Sequence, residues 1–353
     1  MERNLPGWIA PAFHHFASAA SQELRALAGD AVAHASSATP YQLVPDGCSR
    51  LNPPKINHFR LFDLIPNTSW KGCVETRPPP YDVTDAGPSL SNERTLFVPY
   101  FWMDDQDGYA YNDYLTDVLH SESGGATFRL DGWGETYSVL KYNNAPGNID
   151  ETAPVTRGPN QSCPTPVQPL TANESLVRNA IADMRHWEGG GTNNMEGLMW
   201  GWRVLSPGSP FTEGSAYADR RKIIVLMSDG LNDVANNPND AIMSDYNAMN
   251  YRRVWMEGGA WGAVPNDIRL PIHSRADFQD YIDSRFAAAC SNVKAAGVEI
   301  YTVLFRETDT RTVNLFTNCA TRSNMAYFAS SQAALREAFG EIADSISKLR
   351  ITK

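Results

Sequence analysis

The stretch KIIVLMSDG, from Lys222 to Gly230, decides how this chain folds. Its residues are apolar and largely β-branched, they show no alternation, and Ser-Asp-Gly ends the run. This pattern predicts a central strand of a parallel sheet, buried on both faces and followed by a tight turn. Asp229 then lies at the carboxyl end of the strand, the edge at which open α/β sheets bind ligands. An ordinary Asp-Gly turn after a core strand is the alternative.

The composition sets broad limits on the kind of protein. The chain has 353 residues, enough for a sizeable core, and we expect one core that carries a large insertion. Forty acidic residues against thirty basic ones give a formal net charge of −10. This charge argues against sequence-independent binding to nucleic acid, so we expect no nucleic-acid partner. No apolar run approaches the roughly 20 residues that a membrane-spanning helix needs.

The five cysteines are widely spaced and form no CxxC pair, which disfavours a zinc ribbon or a thioredoxin-type motif. In an oxidising compartment their number predicts two disulfides and one free thiol. Five buried, reduced cysteines in a cytosolic protein are the alternative. The cysteines are Cys48, Cys73, Cys163, Cys290 and Cys319.

The first half of the chain is irregular. We expect a partly helical N-terminal segment over residues 1–45, with apolar residues at helical spacing between 17 and 37. Residues 46–169 are rich in proline, aspartate and aromatic residues, which predicts an ordered, loop-rich insertion. A disulfide between Cys73 and Cys163 would join the two ends of this insertion. Short strand-like runs occur at Phe59–Ile65, Thr95–Phe101 and Thr136–Tyr142.

The second half, residues 170–353, alternates helices with strands. This order predicts an α/β fold, a doubly wound and mostly parallel sheet with helices on both faces. Caps support the assignment: Asn173 or Ser175 for the first helix, Thr192 or Asn193 for the second, and Gly297 after the long helix. Besides Lys222–Ser228, the predicted strands are Val298–Phe305 and Met325–Ala329. The first predicted helix follows its cap at Asn173 or Ser175 and ends at Trp187. The other predicted helices are Met195–Leu205, Arg275–Ala296, Thr310–Cys319 and Gln332–Leu349.

Thr192 and Asp229 are the strongest candidates for a functional site. Thr192 lies in a Gly-Gly-Gly-Thr-Asn sequence at the start of a predicted helix, and Asp229 ends the following strand. A hard divalent cation prefers oxygen ligands on short, rigid supports, and these two residues supply two of them. Two ligands do not complete a site. The same predicted binding edge carries Gly191, Asn193, Ser228, Gly230 and Asn232.

Several phrases of the sequence carry a family resemblance. The Gly191–Asn193 segment before a helix and the Met-Ser-Asp-Gly that ends at Gly230 resemble the second and third motifs of the von Willebrand factor A (VWA) metal-ion-dependent adhesion site. Over roughly Phe59 to Lys353, the chain is also similar to TadG-like proteins of the bacterial tight-adherence (Flp) pilus assembly system. The phrases that carry this similarity are Trp70–Glu75, Pro80–Asp85, Thr95–Phe101, Trp200–Pro207 and Ile346–Arg350.

The resemblance implies a sheet of the VWA, Rossmann-like type and a non-enzymatic binding or adhesion module of the bacterial cell envelope. Its partner would be a protein of pilus assembly or surface attachment. Thr192 and Asp229 would hold Mg²⁺ or another divalent cation. The implied location is periplasmic or at the cell surface, which favours disulfides. We expect Cys290–Cys319 first and Cys73–Cys163 second, with Cys48 free.

The chain departs from the family pattern in two ways. It contains no Asp-x-Ser-x-Ser motif, which is the family's first metal motif, and no N-terminal membrane anchor. We therefore expect weak or absent metal binding, and an apolar flank on Ile223–Met227 where central strands are missing. We also expect the chain to be the C-terminal portion of a longer protein, anchored in the membrane by upstream sequence. A divergent substitute within residues 1–45 is the alternative.

Two further functions remain open from the sequence. A metal-dependent hydrolase would use Asp229, Asp233 and a histidine, although the histidines are scattered and form no HExxH motif. A structural envelope protein with a vestigial metal site is the other possibility.

Overall fold

A computed structural model describes residues 58–104, 112–115, 120–121, 127–128, 142, 149–152, 157–185, 191–233, 246–247, 249–251 and 275–348. The chain divides into two compact units. The first comprises residues 1–75, 88–166 and 180–189, and the second comprises residues 76–87, 167–179 and 190–353. Residues 76–87, which we expected within the insertion, therefore group with the second unit.

The described elements combine helices with short and long strands. The α-helices are α1 (His58–Leu64), α2 (Glu174–Ala182), α3 (Asn194–Leu205), α4 (Arg275–Ala295), α5 (Thr310–Cys319) and α6 (Gln332–Lys348). The strands are β1 (His120–Ser121), β2 (Thr127–Phe128), β3 (Lys222–Ser228), β4 (Tyr246–Asn247), β5 (Asn250–Tyr251), β6 (Val298–Phe305) and β7 (Ala326–Ala329). Short 3₁₀ helices span Tyr81–Val83, Glu93–Thr95 and Ser323–Met325.

Helix α1 is the first described element of the first unit, and it lies where the sequence indicated a strand at Phe59–Ile65. That expectation was wrong. Leu61, Phe62 and Ile65 are all buried, and their spacing of one, three and four residues places them on one face of a helix. They pack in a cluster with Phe101. A short apolar run does not distinguish a buried strand from a buried helix turn.

The run Thr95–Phe101 forms no extended strand either. Thr95 ends a 3₁₀ helix, and the residues after it make an isolated antiparallel bridge between Val74 and Pro99. The Cys73–Cys163 disulfide joins this region to the far end of the expected insertion, with a Cα–Cα distance of 5.8 Å, and confirms that pairing. The predicted N-terminal helix, residues 136–141 of the third strand-like run, and Cys48 lie outside the described residues.

The second unit is built on a parallel three-stranded sheet in the order β3-β6-β7. The register of the β3–β6 pair runs from Lys222 opposite Val298 to Ser228 opposite Leu304. Gly297, whose φ of 81° favours glycine, makes the turn from α4 into β6 as expected. The parallel α/β arrangement predicted from the alternation of helices and strands is confirmed for this part of the chain.

Helices cover both faces of β6. On one face Ile300 and Leu304 pack with Leu198 of α3, Phe286 of α4 and Phe316 of α5. On the other face Tyr301 and Val303 pack against Met325 and Ile342. The Cys290–Cys319 disulfide links α4 to α5, with a Cα–Cα distance of 5.1 Å, and this pairing is also confirmed.

Strand β3 is not buried on both faces, so that part of the prediction was wrong. Ile224 and Leu226 are buried, whereas Val225 is 37% exposed and Met227 is 43% exposed. The reason is that α6 packs on β6 and β7, and β3 is an edge strand among the strands described here. The exposure of Val225 and Met227 agrees with the apolar flank expected for this strand.

Residues 76–87 are held in the second unit by buried polar contacts. The carboxylate of Asp82 is 1% exposed and accepts two hydrogen bonds from Arg285 of α4, each 2.6 Å long. Asn292 of the same helix donates to the carbonyl oxygen of Val83 at 2.9 Å. Asp85 accepts hydrogen bonds from Tyr217 at 2.5 Å and from Ser206 at 3.0 Å.

Two buried arginines complete this attachment. Arg77 donates to the carbonyl oxygens of Thr84 at 2.7 Å and Ala86 at 2.6 Å, which fixes the turn of the segment. Arg203 of α3 donates to the carbonyl oxygen of Asp82 at 3.3 Å. Burial, followed by the positive charge of Arg203, lowers the pKa of Arg77 to about 10. Within the described part of the chain, no helix is both long and apolar enough to cross a membrane.

The Cys290–Cys319 bond allows a direct stability test. It closes a loop with a sequence separation of 29, for which the chain-entropy relation gives a stabilisation of about 3–4 kcal/mol. The double variant Cys290→Ala/Cys319→Ala should lose that amount in guanidinium unfolding under oxidising conditions. Adding reductant should bring the native chain toward the variant. An unfolding free energy equal to that of the native protein without reductant would contradict this account.

Candidate functional site

The carboxyl end of β3 forms a tight turn held by its own serine. Ser228 Oγ donates to the carbonyl oxygen of Gly230 at 3.2 Å, and Ser228 Oγ also accepts a hydrogen bond from the Gly230 N–H at 3.3 Å. Ser228 is buried, whereas the side chain of Asp229 is exposed. The turn therefore presents a carboxylate to solvent at the end of a strand whose backbone is fixed by β6.

The loop before α3 pairs with the chain that follows this turn. Thr192 and Asp233 form an isolated antiparallel bridge, in which the Thr192 N–H lies 2.5 Å from Asp233 O and the Asp233 N–H lies 2.9 Å from Thr192 O. A Cβ added at Gly230 would lie 3.8 Å from Thr192 Oγ1. The Thr192 hydroxyl therefore lies beside the turn that carries Asp229.

Asn193 is the residue that caps α3, one of the two alternatives that the sequence left open. Its Oδ1 accepts the N–H of Glu196 at 3.2 Å, and its Nδ2 is buried without a hydrogen-bond partner among the described residues. The positive end of the helix dipole therefore lies at the same edge as Asp229 and Thr192. A buried amide donor without a protein partner is typical of a position that a water molecule or a ligand satisfies.

A line of hydrogen bonds beneath the edge connects the two loops to α4 and α5. The Asn194 N–H donates to Asn232 Oδ1 at 2.8 Å, and Asn194 Nδ2 donates to the carbonyl oxygen of Gly230 at 3.3 Å. Asn232 Nδ2 in turn donates to Asp283 Oδ1 at 2.8 Å. The other Asp283 oxygen accepts from Arg311 Nε. The loops are thus fixed by side chains from two helices.

Arg311 closes this line through two acidic residues of α4. Besides Asp283 it pairs with Asp280, at 2.6 Å between Arg311 Nη1 and Asp280 Oδ1. Burial lowers the pKa of Arg311, but the hydrogen bonds to both carboxylates outweigh it, and the net shift is upward. Arg311 therefore stays charged and keeps Asp283 oriented toward Asn232.

The structure brings most of the sequence-predicted residues to one edge. Gly191, Thr192 and Asn193 lead into α3 beside Gly230 and Asn232, and Ser228 and Asp229 end β3. Asp233, a candidate for hydrolysis, is tied to Thr192 through its backbone. Among the described residues, no three or more His, Cys, Asp and Glu side chains come together as a metal-binding group.

Sequence reasoning missed Asn194, Asp283 and Arg311. Asp280 and Asp283 lie one turn apart on a long helix, and such charges ordinarily face solvent. Yet Asp283 is only 7% exposed. The separation of 51 positions between Asn232 and Asp283 leaves no local pattern that would have revealed the pair.

Comparison with known proteins does not add to this description. No family model matches the chain, and neither the curated proteins nor the solved structures include a match.

The substitution Asn232→Ala tests the network that fixes the edge. Asn232 is 2% exposed, and its removal leaves the Asn194 N–H without its acceptor and one Asp283 oxygen without its donor. We expect the free energy of unfolding to fall by about 1–3 kcal/mol, the cost of leaving buried polar groups unsatisfied. Urea unfolding measures the change.

The matched control is Asn324→Ala, since Asn324 is an exposed asparagine. This control should change the free energy of unfolding by less than about 0.5 kcal/mol. Equal stability of the two variants would show that the Asn232 hydrogen bonds do not hold the loops.

Proposed function

We propose that this chain is a non-enzymatic binding module of VWA type that works in the bacterial cell envelope, in tight-adherence pilus assembly or surface attachment. Its partner is a protein, and it binds at the carboxyl edge of the sheet. The observation that carries the proposal is the position of Thr192 beside the turn that presents Asp229. Similarity of the sequence phrases to TadG-like proteins supplies the cellular context.

The geometry of the edge suits recognition of a polar or charged group. Asp229 is exposed, Thr192 is half-buried, and Gly230 between them has no side chain to fill the space. The backbone of both loops is fixed by the Thr192–Asp233 bridge and by Asn232. A partner group that approaches this edge meets groups that lose little conformational entropy on binding. The fixed backbone of this edge therefore favours binding of a partner protein.

The proposed location is the periplasm or the cell surface. The disulfides Cys73–Cys163 and Cys290–Cys319 support it, because such bonds form and persist mainly outside the reducing cytosol. A protein of pilus assembly or surface attachment also meets its partners in the cell envelope.

The edge offers ligands of the type that a divalent cation prefers, but too few of them to complete its coordination. Thr192 Oγ1 and the Asp229 carboxylate are oxygen donors, which Mg²⁺ prefers. As the described side chains bring no acidic cluster to the edge, they supply only part of a coordination shell. We propose that Thr192 and Asp229 hold the cation together with ligands from outside the described residues. The cation would supply a positive charge for a carboxylate of the partner.

If the partner binds at the carboxyl edge of the sheet, a charge change at Asp229 should reduce the amount of partner that the chain captures. The immobilised full chain should capture identified Flp pilus assembly proteins from detergent-solubilised envelopes of a bacterium that builds these pili. Asp229→Lys should reduce the captured amount at a fixed concentration by about tenfold, equivalent to 1.4 kcal/mol, because the charge at the edge is inverted. Quantitative mass spectrometry of the eluate measures the change.

The control for this capture is Asp344→Lys, an equal charge change at an exposed position of α6. It should capture as much as the native chain. Equal capture by Asp229→Lys and Asp344→Lys would remove the carboxyl edge from the proposal, and failure of the native chain to capture any pilus assembly protein would overturn the proposed context.

Calorimetric titration with Mg²⁺ tests the cation separately. We expect weak binding by the native chain, with a dissociation constant on the order of 1 mM, because few ligands are in place. Asp229→Asn should weaken it at least tenfold, whereas Asp344→Asn should leave it unchanged. A heat signal that is the same in all three proteins would exclude Asp229 from any metal site, and would leave the capture experiment as the test of binding.

A further inference from the structure

Residues 76–87, called the strap from here on, connect the two helices that support the candidate binding edge. The 3₁₀ helix Tyr81–Val83 in the strap contacts both α3 and α4. The buried side chain of Val83 packs in the same cluster as Leu198 of α3 and Phe286 of α4. Val83 therefore belongs to the apolar core that the two helices share.

Asp82 of the strap binds both helices through different groups. Its buried carboxylate accepts two hydrogen bonds from Arg285 of α4, each 2.6 Å long. Its carbonyl oxygen accepts a hydrogen bond from Arg203 of α3 at 3.3 Å. Together with Val83, these contacts fix how α3 and α4 lie relative to each other.

The same two helices are connected a second time beneath the carboxyl edge, by Asn232. Its Oδ1 accepts the N–H of Asn194, the first residue of α3, at 2.8 Å. Its Nδ2 donates to Asp283 of α4, also at 2.8 Å. Asn232 makes both hydrogen bonds only while the start of α3 and this turn of α4 keep their spacing, because hydrogen bonds weaken steeply outside a narrow range of geometry.

On α4 the attachments of the strap and of the edge lie within one helical turn. Arg285 pairs with the strap, and Asp283, two residues earlier, supports Asn232. A rise of 1.5 Å per residue places these two positions about 3 Å apart along the helix axis. A displacement of this turn therefore moves both attachments.

On α3 an ion pair connects the strap contact to the first turn of the helix. Arg203 Nη1 lies 3.5 Å from Glu196 Oε2, and both side chains are largely buried. The N–H of Glu196 donates to Asn193 Oδ1, the cap of the helix, at 3.2 Å. Arg203 therefore connects the strap to the turn that follows Thr192.

We propose that docking of the strap on α3 and α4 controls the order of the carboxyl edge, so that detachment of the strap releases Thr192–Asn194 and Asn232 from their supports. The regulation concerns the proposed binding edge and in that sense rests on the proposed function. Affinity for a partner then follows the fraction of molecules with a docked strap, since only these are competent to bind. Along the chain the strap lies between residues 1–75 and 88–166, which belong to the first unit.

Asp82→Asn tests the coupling, because it removes the charge that pairs with Arg285 and nearly keeps the size of the side chain. Hydrogen exchange of the full chain without a partner, followed by mass spectrometry, measures the effect. We expect exchange in residues 191–194 and 228–233 to become about tenfold faster, since opening of the edge then includes loss of the weakened strap contact. Exchange in β6 reports the change in global stability.

Tyr301→Phe is the control for a general loss of stability. It removes the hydrogen bond between the Tyr301 hydroxyl and Ser345 Oγ of α6, which is 3.0 Å long and belongs to the other face of the sheet. Exchange in β6 should become faster, because global unfolding breaks this bond, whereas exchange in residues 191–194 and 228–233 should not change.

Two results would overturn the proposal. One is an edge whose exchange Asp82→Asn leaves unchanged, and the other is equal acceleration of the edge by Asp82→Asn and Tyr301→Phe. If Asp82→Asn does not fold, Arg285→Lys takes its place under the same criteria, since lysine keeps the charge but loses the paired geometry of arginine. No partner is present, so failure of the strap coupling and failure of the proposed pilus function are separate results.

Discussion

The parallel pairing of β3 with β6 is the constraint on which the rest of the second unit depends. Its register sets the carboxyl end of β3 at Ser228, opposite Leu304, and thereby determines where Asp229 projects. The loop before α3 reaches that end because α3 packs on the same face as Ile224. Among the described strands, β3 pairs with β6 alone, so this one pairing fixes the backbone of the strand that leads to the binding edge.

Ion pairs that each contain a buried carboxylate orient the loops that the sheet alone does not fix. Asp283 and Arg311 hold Asn232, which holds the loop at Asn194, while Asp82 and Arg285 hold residues 76–87 on α4. Desolvation makes such pairs a poor source of net stability, but removing the arginine is costly because the carboxylate stays buried. We infer that these pairs serve mainly to specify one arrangement of the loops. For a binding module, that rigidity lowers the entropy lost when a partner docks.

Local patterns predicted the second unit well and the first unit poorly. Gly297 was recognisable as a cap, and Asn193 as one of two candidates with Thr192, because capping is a property of a few adjacent residues. Strand β6 was recognisable from its continuous apolar run. Helix α1 was mistaken for a strand, since seven residues carry too few periods to separate the two. The pairs Asp82–Arg285 and Asn232–Asp283 connect positions 203 and 51 residues apart, which no local pattern encodes. The exposure of Val225 depends on which strand lies beside β3, and a run of apolar residues does not specify its neighbours.

The central claim is that a protein partner binds at the carboxyl edge of the sheet, and hydrogen exchange tests it most directly. Exchange of the full chain would be followed by mass spectrometry with and without the purified partner. The account predicts that slowed exchange on binding concentrates in residues 191–194 and 228–233. Slowed exchange in α6 or in the first unit, with these two segments unchanged, would contradict it.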